Sequence, residues 1–269
     1  MAIPIDLSGR VILVCGAARG GIGGATARLI AQAGATVVAV DKTQELLDAT
    51  IADIEAAGGR CQGIVADLTN LEQSDPIVET VVRRFNRLDG VANVAGGTRA
   101  EEWLPLEQTS TSSFRETLNL NLEYVFRICR DAAAFMIQRG TPGSLVNVGS
   151  VSMLTSAPLH GPYGAAKAGI AALTRTMAIE WLQHGIRANT VSPGAVASER
   201  VMSRVSSQER AASQASMKFT SVDALGHAIT FLLSDLASGI SGQNLVVDSA
   251  LSAKFCGGAR DPKSLKVTN

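Results

Sequence analysis

The chain has 269 residues, 46% of them hydrophobic, and its 24 basic side chains are balanced by 24 acidic ones. That apolar fraction is enough for a large core and excludes disorder along the whole chain, while zero net charge leaves no basic field to gather nucleic acid or anionic lipid. The longest apolar runs are too short to span a bilayer, so neither nucleic acid nor membrane is expected as a partner.

Residues 10–15 (RVILVC) form an apolar run closed by Gly16 and a glycine cluster, and within residues 22–34 Ala27, Leu29, Ile30 and Ala33 recur at helical spacing. This predicts strand, tight loop, helix. The unit repeats: strands are predicted at 36–40, 61–66 and 90–94, with helices at 43–57 and 71–85 between them. A long helix over 114–137, a strand at 144–148 (SLVNV), a helix over 163–184 and a strand at 187–191 come next. Beyond a looser region at 198–216, a helix at 222–233 and a last strand at 244–247 complete the pattern. Such alternation requires right-handed crossovers, hence an α/β fold with one doubly wound parallel sheet covered by helices on both faces. No linker or repeat divides it, so residues 1–251 are expected to form a single domain, with 195–218 as a loop and 252–269 as a C-terminal tail.

Cys15, Cys61, Cys129 and Cys256 lie far apart, with no C-x-x-C pair and no secretory leader ahead of them, which predicts a reduced, cytoplasmic setting. His160, His184 and His227 lack metal-ligand spacing, so no metal site is expected. The segment from Cys15 to Gly24 (CGAARGGIGG) sits between the first strand and the first helix, where glycines let backbone N–H groups approach a pyrophosphate. A tight turn would use the same residues. Asp41 ends the second strand 18 residues past Gly23, where a carboxylate accepts hydrogen bonds from a ribose diol and repels a 2′-phosphate; it could equally cap the next helix, as could Thr43. Tyr163 and Lys167 are four apart and share a helix face. Ser150 stands at the carboxyl end of the SLVNV strand, the edge at which open parallel sheets bind ligands, although strand-end serines commonly serve as caps.

These motifs, in this order, resemble those of the short-chain dehydrogenase/reductases. Cys15 to Gly23 resembles the family's T-G-x-x-x-G-x-G, with Gly16, Arg19, Gly21, Ile22 and Gly23 as its cofactor-contacting members. Ala66-Asp67-Leu68 resembles the adenine-side D-[VL], Asn93-Val94-Ala95-Gly96 the N-N-A-G, Asn121 the helix asparagine, Ser150 the catalytic serine and Tyr163 to Lys167 the Y-x-x-x-K. Pro193-Gly194 resembles the nicotinamide-side turn, followed by Val196 and by Ser198 in the place of a threonine. The sequence departs from the pattern at Cys15 for threonine, at a glycine loop one residue longer, at Val94 for the second asparagine and at Ser249-Ala250 for a glycine pair.

The resemblance implies a Rossmann-type fold and an NAD-dependent oxidoreductase, NADP being the less favoured cofactor, acting on a small-molecule secondary alcohol or ketone. The catalytic residues it implies are Asn121, Ser150, Tyr163 and Lys167. Tyr163 and Lys167 are also counted as cofactor contacts, with Asp41. Lowering a tyrosine pKa from about 10 by about three units takes roughly 4 kcal/mol. An ammonium about 5 Å away supplies on the order of 3 kcal/mol at an effective dielectric near 20, and an oxidised nicotinamide adds the rest. Ser150 would hold the substrate oxygen, and Asn121 a water that connects Lys167 to solvent.

Val151, Met153, Leu154, Pro158, Leu159, Val196, Val201 and Met202 would surround the reacting carbon without charge, which predicts a neutral, mostly apolar and cyclic substrate. Arg200, Arg204 and Arg210 in the following loop run counter to that reading if one of them turns inward. A 3-oxoacyl-thioester reductase, with Arg139 and His184 as a weak basic rim, and a non-catalytic dinucleotide-sensing protein are the alternatives. His160 reads as a solvent-facing loop residue, and Trp103, Trp181 and Met177 as core or subunit contacts. Apolar residues on more than one face of the two long helices (Val125, Ile128, Phe135; Ile170, Leu173, Ile179) predict a homotetramer.

Overall fold

The computed structural model describes residues 4–99, 102–203 and 219–253. Arg204, Arg210, most of the 195–218 loop, Cys256 and the rest of the tail lie outside the described residues. Seven strands form one parallel sheet: β1 (Val11–Cys15), β2 (Thr36–Asp41), β3 (Arg60–Val65), β4 (Gly90–Asn93), β5 (Gly143–Val148), β6 (Ile186–Pro193) and β7 (Asn244–Val247), in the order β3-β2-β1-β4-β5-β6-β7. This is the Rossmann-type doubly wound sheet that the alternation predicts. The central strands are almost continuously apolar because helices cover both faces; all five residues of β1 are buried.

On one face α1 (Ile22–Gln32) and α2 (Gln44–Ala56) pack with the helix at Val222–Leu233, through Ile30, Leu47, Ile54, Leu225 and Ile229. On the other face, helices at Ile77–Phe85, Tyr124–Arg139 and Gly161–Glu180 bury Val81, Ile128, Met136 and Ile170 against the sheet.

Two stretches differ from their sequence reading. The helix predicted over 71–85 is two helices, α3 (Leu71–Ser74) and α4 (Ile77–Phe85), because Pro76 has no N–H to continue the ladder. Asn86, left-handed at φ 51°, ends the second. The helix predicted over 114–137 consists of α5 (Thr111–Leu118), a π-helical turn at Asn119–Glu123 and α6 (Tyr124–Arg139). The next two helices are α7 (Gly161–Glu180) and the one-turn α8 (Glu199–Met202), and α9 is Val222–Leu233. After β7, Ser249 and Ala250 both take left-handed backbone, at φ 55° and 68°. Glycine would adopt that at no steric penalty; here the Asp248 carboxylate holds the turn by accepting the Ala250 N–H at 2.9 Å and the Ser252 N–H at 2.6 Å.

Cys15, Cys61 and Cys129 are buried free thiols. Among the described residues no helix is long and apolar enough to cross a membrane, and no cluster of three metal-ligating side chains occurs.

Candidate active site

β1 and β4 are neighbours whose connections leave in opposite directions, so their carboxyl ends open a crevice, the switch point at which such sheets hold ligands. Gly16 leaves β1 at φ +85°, and a Cβ on it would stand 2.6 Å from the Ala95 backbone. A Cβ on Gly23 would stand 1.8 Å from Gly16 O, so the loop closes on the start of α1 only with glycine at both positions. Gly21, the residue before α1, offers no side-chain cap, and the first turn of α1 has no acidic residue. By contrast Thr43, Asn70, Ser110 and Ser221 cap the helices that follow them. The leading N–H groups of α1 are left for an anion, and the glycine loop therefore fits a dinucleotide pyrophosphate.

Asp41 turns its carboxylate toward this loop: Oδ2 accepts the Ala18 N–H at 2.9 Å and Oδ1 the Lys42 N–H at 2.8 Å. Thr43 caps α2, so the capping alternative for Asp41 falls away. Arg19 reaches Asp53 at 3.1 Å, away from Asp41. Asp67 bonds both the N–H and the hydroxyl of Thr69, which holds its carboxyl below the usual range, and Leu68 O accepts from Arg127 at 2.9 Å. The Asn93 side chain points into the interior, donating to Asn147 Oδ1 at 2.9 Å and to Cys129 Sγ at 3.2 Å. The crevice is lined instead by the Ala95 and Gly96 backbone. Pro193 ends β6, Gly194 lies close against Asp248, Val196 pairs with Thr220, and Ser198 caps α8 through the Val201 N–H.

Gly96 is the hub of the reactive groups. A Cβ there would lie 2.6 Å from Asn121 Oδ1 and 3.3 Å from Lys167 Nζ. Asn121, in the π-helical turn, donates to Gly97 O and Thr117 O at 3.0 Å each and accepts the Gly97 N–H at 2.8 Å. Both of its donors are thereby used on backbone, so its contribution is to fix the Gly96-Gly97 strip rather than to donate to a water. Lys167 is buried, and its Nζ donates to Val148 O at 2.9 Å and lies 5.5 Å from the centre of the Tyr163 ring. Ser150 follows β5; its oxygen accepts the Ser152 N–H at 3.1 Å, and its hydroxyl acts to lower the pKa of the Tyr163 phenol. Burial pushes the Tyr163 phenol up, the Ser150 hydrogen bond opposing it, and lowers Lys167 to about 7. Both shifts favour neutral forms, the reverse of the depressed phenol pKa that the sequence reading requires.

His160 is half-buried, and its ring stands 4.2 Å from that of the half-exposed Trp103. That pairing joins residues 57 apart and carries no sequence signal. A separate cleft of about 710 Å³, lined by Arg10, Asp89, Arg139 and Arg187 at the amino ends of the strands, contains none of the reactive groups.

A family model described as enoyl-(acyl carrier protein) reductase matches residues 16–252. The chain is similar to 2,5-dichloro-2,5-cyclohexadiene-1,4-diol dehydrogenase of Sphingobium indicum, with 34% identity over 92% of this chain and 99% of that one. It is equally similar, at 34% identity over 91% of this chain and 98% of the other, to the 3-oxoacyl-[acyl-carrier-protein] reductase of Thermotoga maritima. A solved structure of 7α-hydroxysteroid dehydrogenase with NADH and 7-oxo glycochenodeoxycholic acid superposes with a TM-score of 0.82 at 25% identity, covering 90% of this chain and 94% of that one.

The buried lysine gives a stability test. Between about pH 7 and pH 10 the folded protein binds fewer protons at Lys167 than the unfolded chain does, so its stability rises with pH there, by at most about 1.4 kcal/mol per unit. Below that window both states are protonated and the buried charge destabilises in full. Lys167→Met should therefore gain most, relative to the parent, at pH 6 and least at pH 10. Urea midpoints that differ by the same amount at both pH values would contradict the buried, depressed lysine.

Proposed function

We propose a specific reaction for this chain, which belongs to the short-chain dehydrogenase/reductase family and is a nicotinamide-dependent oxidoreductase of alcohols or ketones. Its substrate is a secondary alcohol or ketone whose reacting carbon sits in a neutral, mostly apolar and cyclic body, and its cofactor is NAD. The observation that carries this reading is the convergence of Tyr163 and Ser150 with Lys167, whose Nζ lies beside Gly96 at the switch point. Leu154, Leu159 and Val201 leave apolar surface exposed in the segments around Tyr163 and α8.

In the forward sense Ser150 donates to the substrate oxygen and holds it against Tyr163, whose phenolate takes the hydroxyl proton as hydride leaves the carbon. In reverse, Tyr163 returns that proton to the forming alkoxide. A charged Lys167 contributes on the order of 3 kcal/mol toward the phenolate at an effective dielectric near 20, and burial of the phenol opposes it. An oxidised nicotinamide dinucleotide in the crevice supplies the hydride acceptor and the further positive charge. Gly16, Gly21, Ile22 and Gly23 would hold its pyrophosphate, Asp41 its ribose, Asp67 and Leu68 the adenine side, and Ala95, Gly96, Pro193, Gly194, Val196 and Ser198 the nicotinamide side. Residues 1–251 form the working unit, and 252–269 a tail outside it. We place the protein in the cytoplasm.

Arg139 lines the cleft at the amino ends of the strands, so it gives no basic rim to a carrier-borne thioester at the catalytic end. This favours a free small molecule over the 3-oxoacyl-thioester alternative. Tyr163→Phe should lower kcat by 10²–10⁴-fold on a cyclic secondary alcohol while cofactor affinity, read by fluorescence titration, stays near the parent value. Residual turnover above about a tenth of the parent, or a clear preference for an α-hydroxy acid of similar size, would overturn the assignment.

Each Asp41 carboxylate oxygen accepts one backbone N–H and keeps a lone pair for a ribose hydroxyl, and Arg19 is engaged by Asp53. The ratio of kcat/KM for NAD over NADP should accordingly exceed about tenfold, and Asp41→Ala should narrow it. A ratio below one would refute the choice of NAD.

The structure buries Val125, Ile128 and Ile170 within the subunit but leaves Phe126, Ile179 and Leu182 exposed along α6, at the end of α7 and in the turn after it. Burial of such apolar surface favours self-association into the homotetramer. Light scattering should return about four times the 28.0 kDa chain mass, and a 28.0 kDa particle at micromolar concentration would exclude it.

A further inference from the structure

The strip that leaves the reactive groups, Gly96-Gly97-Thr98, ends where two other segments meet it. A Cβ on Gly96 would lie 3.3 Å from Lys167 Nζ, and Gly97 is held at both its N–H and its carbonyl by Asn121. Two residues of chain reach at most about 7 Å, so Thr98 stands within a small-molecule length of the proton-transfer groups. The Trp103 indole N–H donates to Thr98 Oγ1 at 2.9 Å. The Arg200 guanidinium donates to Thr98 O at 2.7 Å. The Trp103 ring in turn lies 4.2 Å from His160, tilted by 53°, and His160 is the residue just before α7, three before Tyr163.

Arg200 enters no ion pair among the described residues. Among the described residues, the acidic groups of the neighbouring segments are turned elsewhere. Glu102 faces Arg99 at 3.7 Å. Glu199 lies against the glycine loop, where a Cβ on Gly20 would stand 2.3 Å from its carboxylate, and its N–H donates to Gly20 O at 3.0 Å. The adjacent residues Glu199 and Arg200 thus reach opposite walls of the crevice, the acid toward the phosphate-binding loop and the base toward the strip beside the reactive groups. One bond to a carbonyl occupies a single donor of a five-donor fork that matches a carboxylate in shape.

An aromatic pair beside a guanidinium that meets no carboxylate among the described residues, at the far end of a strip that begins at the proton-transfer groups, is a recognition element for an apolar body that ends in an anion. We infer that Arg200 is a specificity-determining residue: the substrate carries a carboxylate several bonds from its reacting carbon, its ring lies along Trp103 and His160, and Arg200 receives the carboxylate. This rests on the reading of the reacting carbon as part of a cyclic alcohol or ketone and extends it to the remote end of the molecule. The charge is tolerated there because the Arg200 guanidinium replaces its lost hydration.

The test uses 3-(4-oxocyclohexyl)propanoate, its methyl ester and 4-propylcyclohexanone, with NADH and the full chain. The parent should reduce the acid with a kcat/KM about tenfold above the ester, the difference lying in KM. Arg200→Gln should bring the acid to the level of the ester, Arg200→Lys should restore part of the difference, and the KM for NADH should stay the same. An ester reduced as well as the acid by the parent overturns the inference. So does an Arg200→Gln variant that loses equally on all three ketones or whose KM for NADH rises, since either would make Arg200 a cofactor residue. Failure to reduce any of the three overturns the cyclic-ketone reading itself, and this inference with it.

Discussion

Two backbones pass each other at Gly16 and Ala95 with no room for a side chain between them. Val94 and Ala95 both donate their N–H groups to Cys15 O, so β4 is tied to β1 up to the point at which the two connections part. The glycine loop on one side of that crossing and the Gly96-Gly97 strip on the other exist because the crossing is this close. Any Cβ at Gly16 would separate the strand ends, and with them the phosphate-binding turn from the groups that handle the proton.

Behind the crevice, a chain of polar groups fixes α7 on the sheet. Asn93 Nδ2 donates to Asn147 Oδ1 at 2.9 Å, Asn147 Nδ2 to Thr174 Oγ1 at 3.1 Å, and Thr190 Oγ1 to the same hydroxyl at 3.1 Å. The chain runs through β4, β5, α7 and β6, and Lys167 adds its bond to Val148 O at the active end. Such bonds in a low-dielectric interior are costly to leave unmade, so they set the rotation and height of α7 more sharply than apolar packing would. Tyr163 is placed by this anchoring one turn before Lys167.

Most of this arrangement was legible in the sequence wherever a period or a short-range motif carried it. The central strands are apolar runs and the glycine cluster announces a turn, so element order, sheet type and the Tyr163-Lys167 pair follow from local pattern. What was not legible depends on contacts distant in sequence. The π-helical turn at Asn119–Glu123 has no composition signal, and Asn121 differs from any helical asparagine until Gly97 lies opposite it. Asn93 reads as part of a cofactor motif, yet the packing of α6 turns its side chain inward to Cys129 and Asn147. The break at Pro76 was visible in the residue type but was outweighed by an apolar periodicity that continues on both sides of it.

The helix interrupted by the π-helical turn also joins the two ends of the crevice. Asn119 donates to Thr69 O at 3.0 Å, Arg127 reaches Leu68 O at 2.9 Å and Ser74 Oγ at 2.5 Å, and Asn121 holds Gly97. Arg127 is buried, and its Asp75 partner at 3.0 Å is half exposed, so the ion pair alone would not repay the desolvation of the guanidinium. Its bonds to Leu68 O and Ser74 Oγ make up the difference, and they make the position of that segment conditional on α6. A continuous α-helix would rotate Asn119 and Asn121 by a fraction of a turn relative to Arg127. One extra residue in the turn lets the same rigid element satisfy Thr69 and Leu68 on one side and Gly97 on the other. The segment assigned to the adenine and the strip beside Lys167 are therefore set by a single helix rather than by two independent loops.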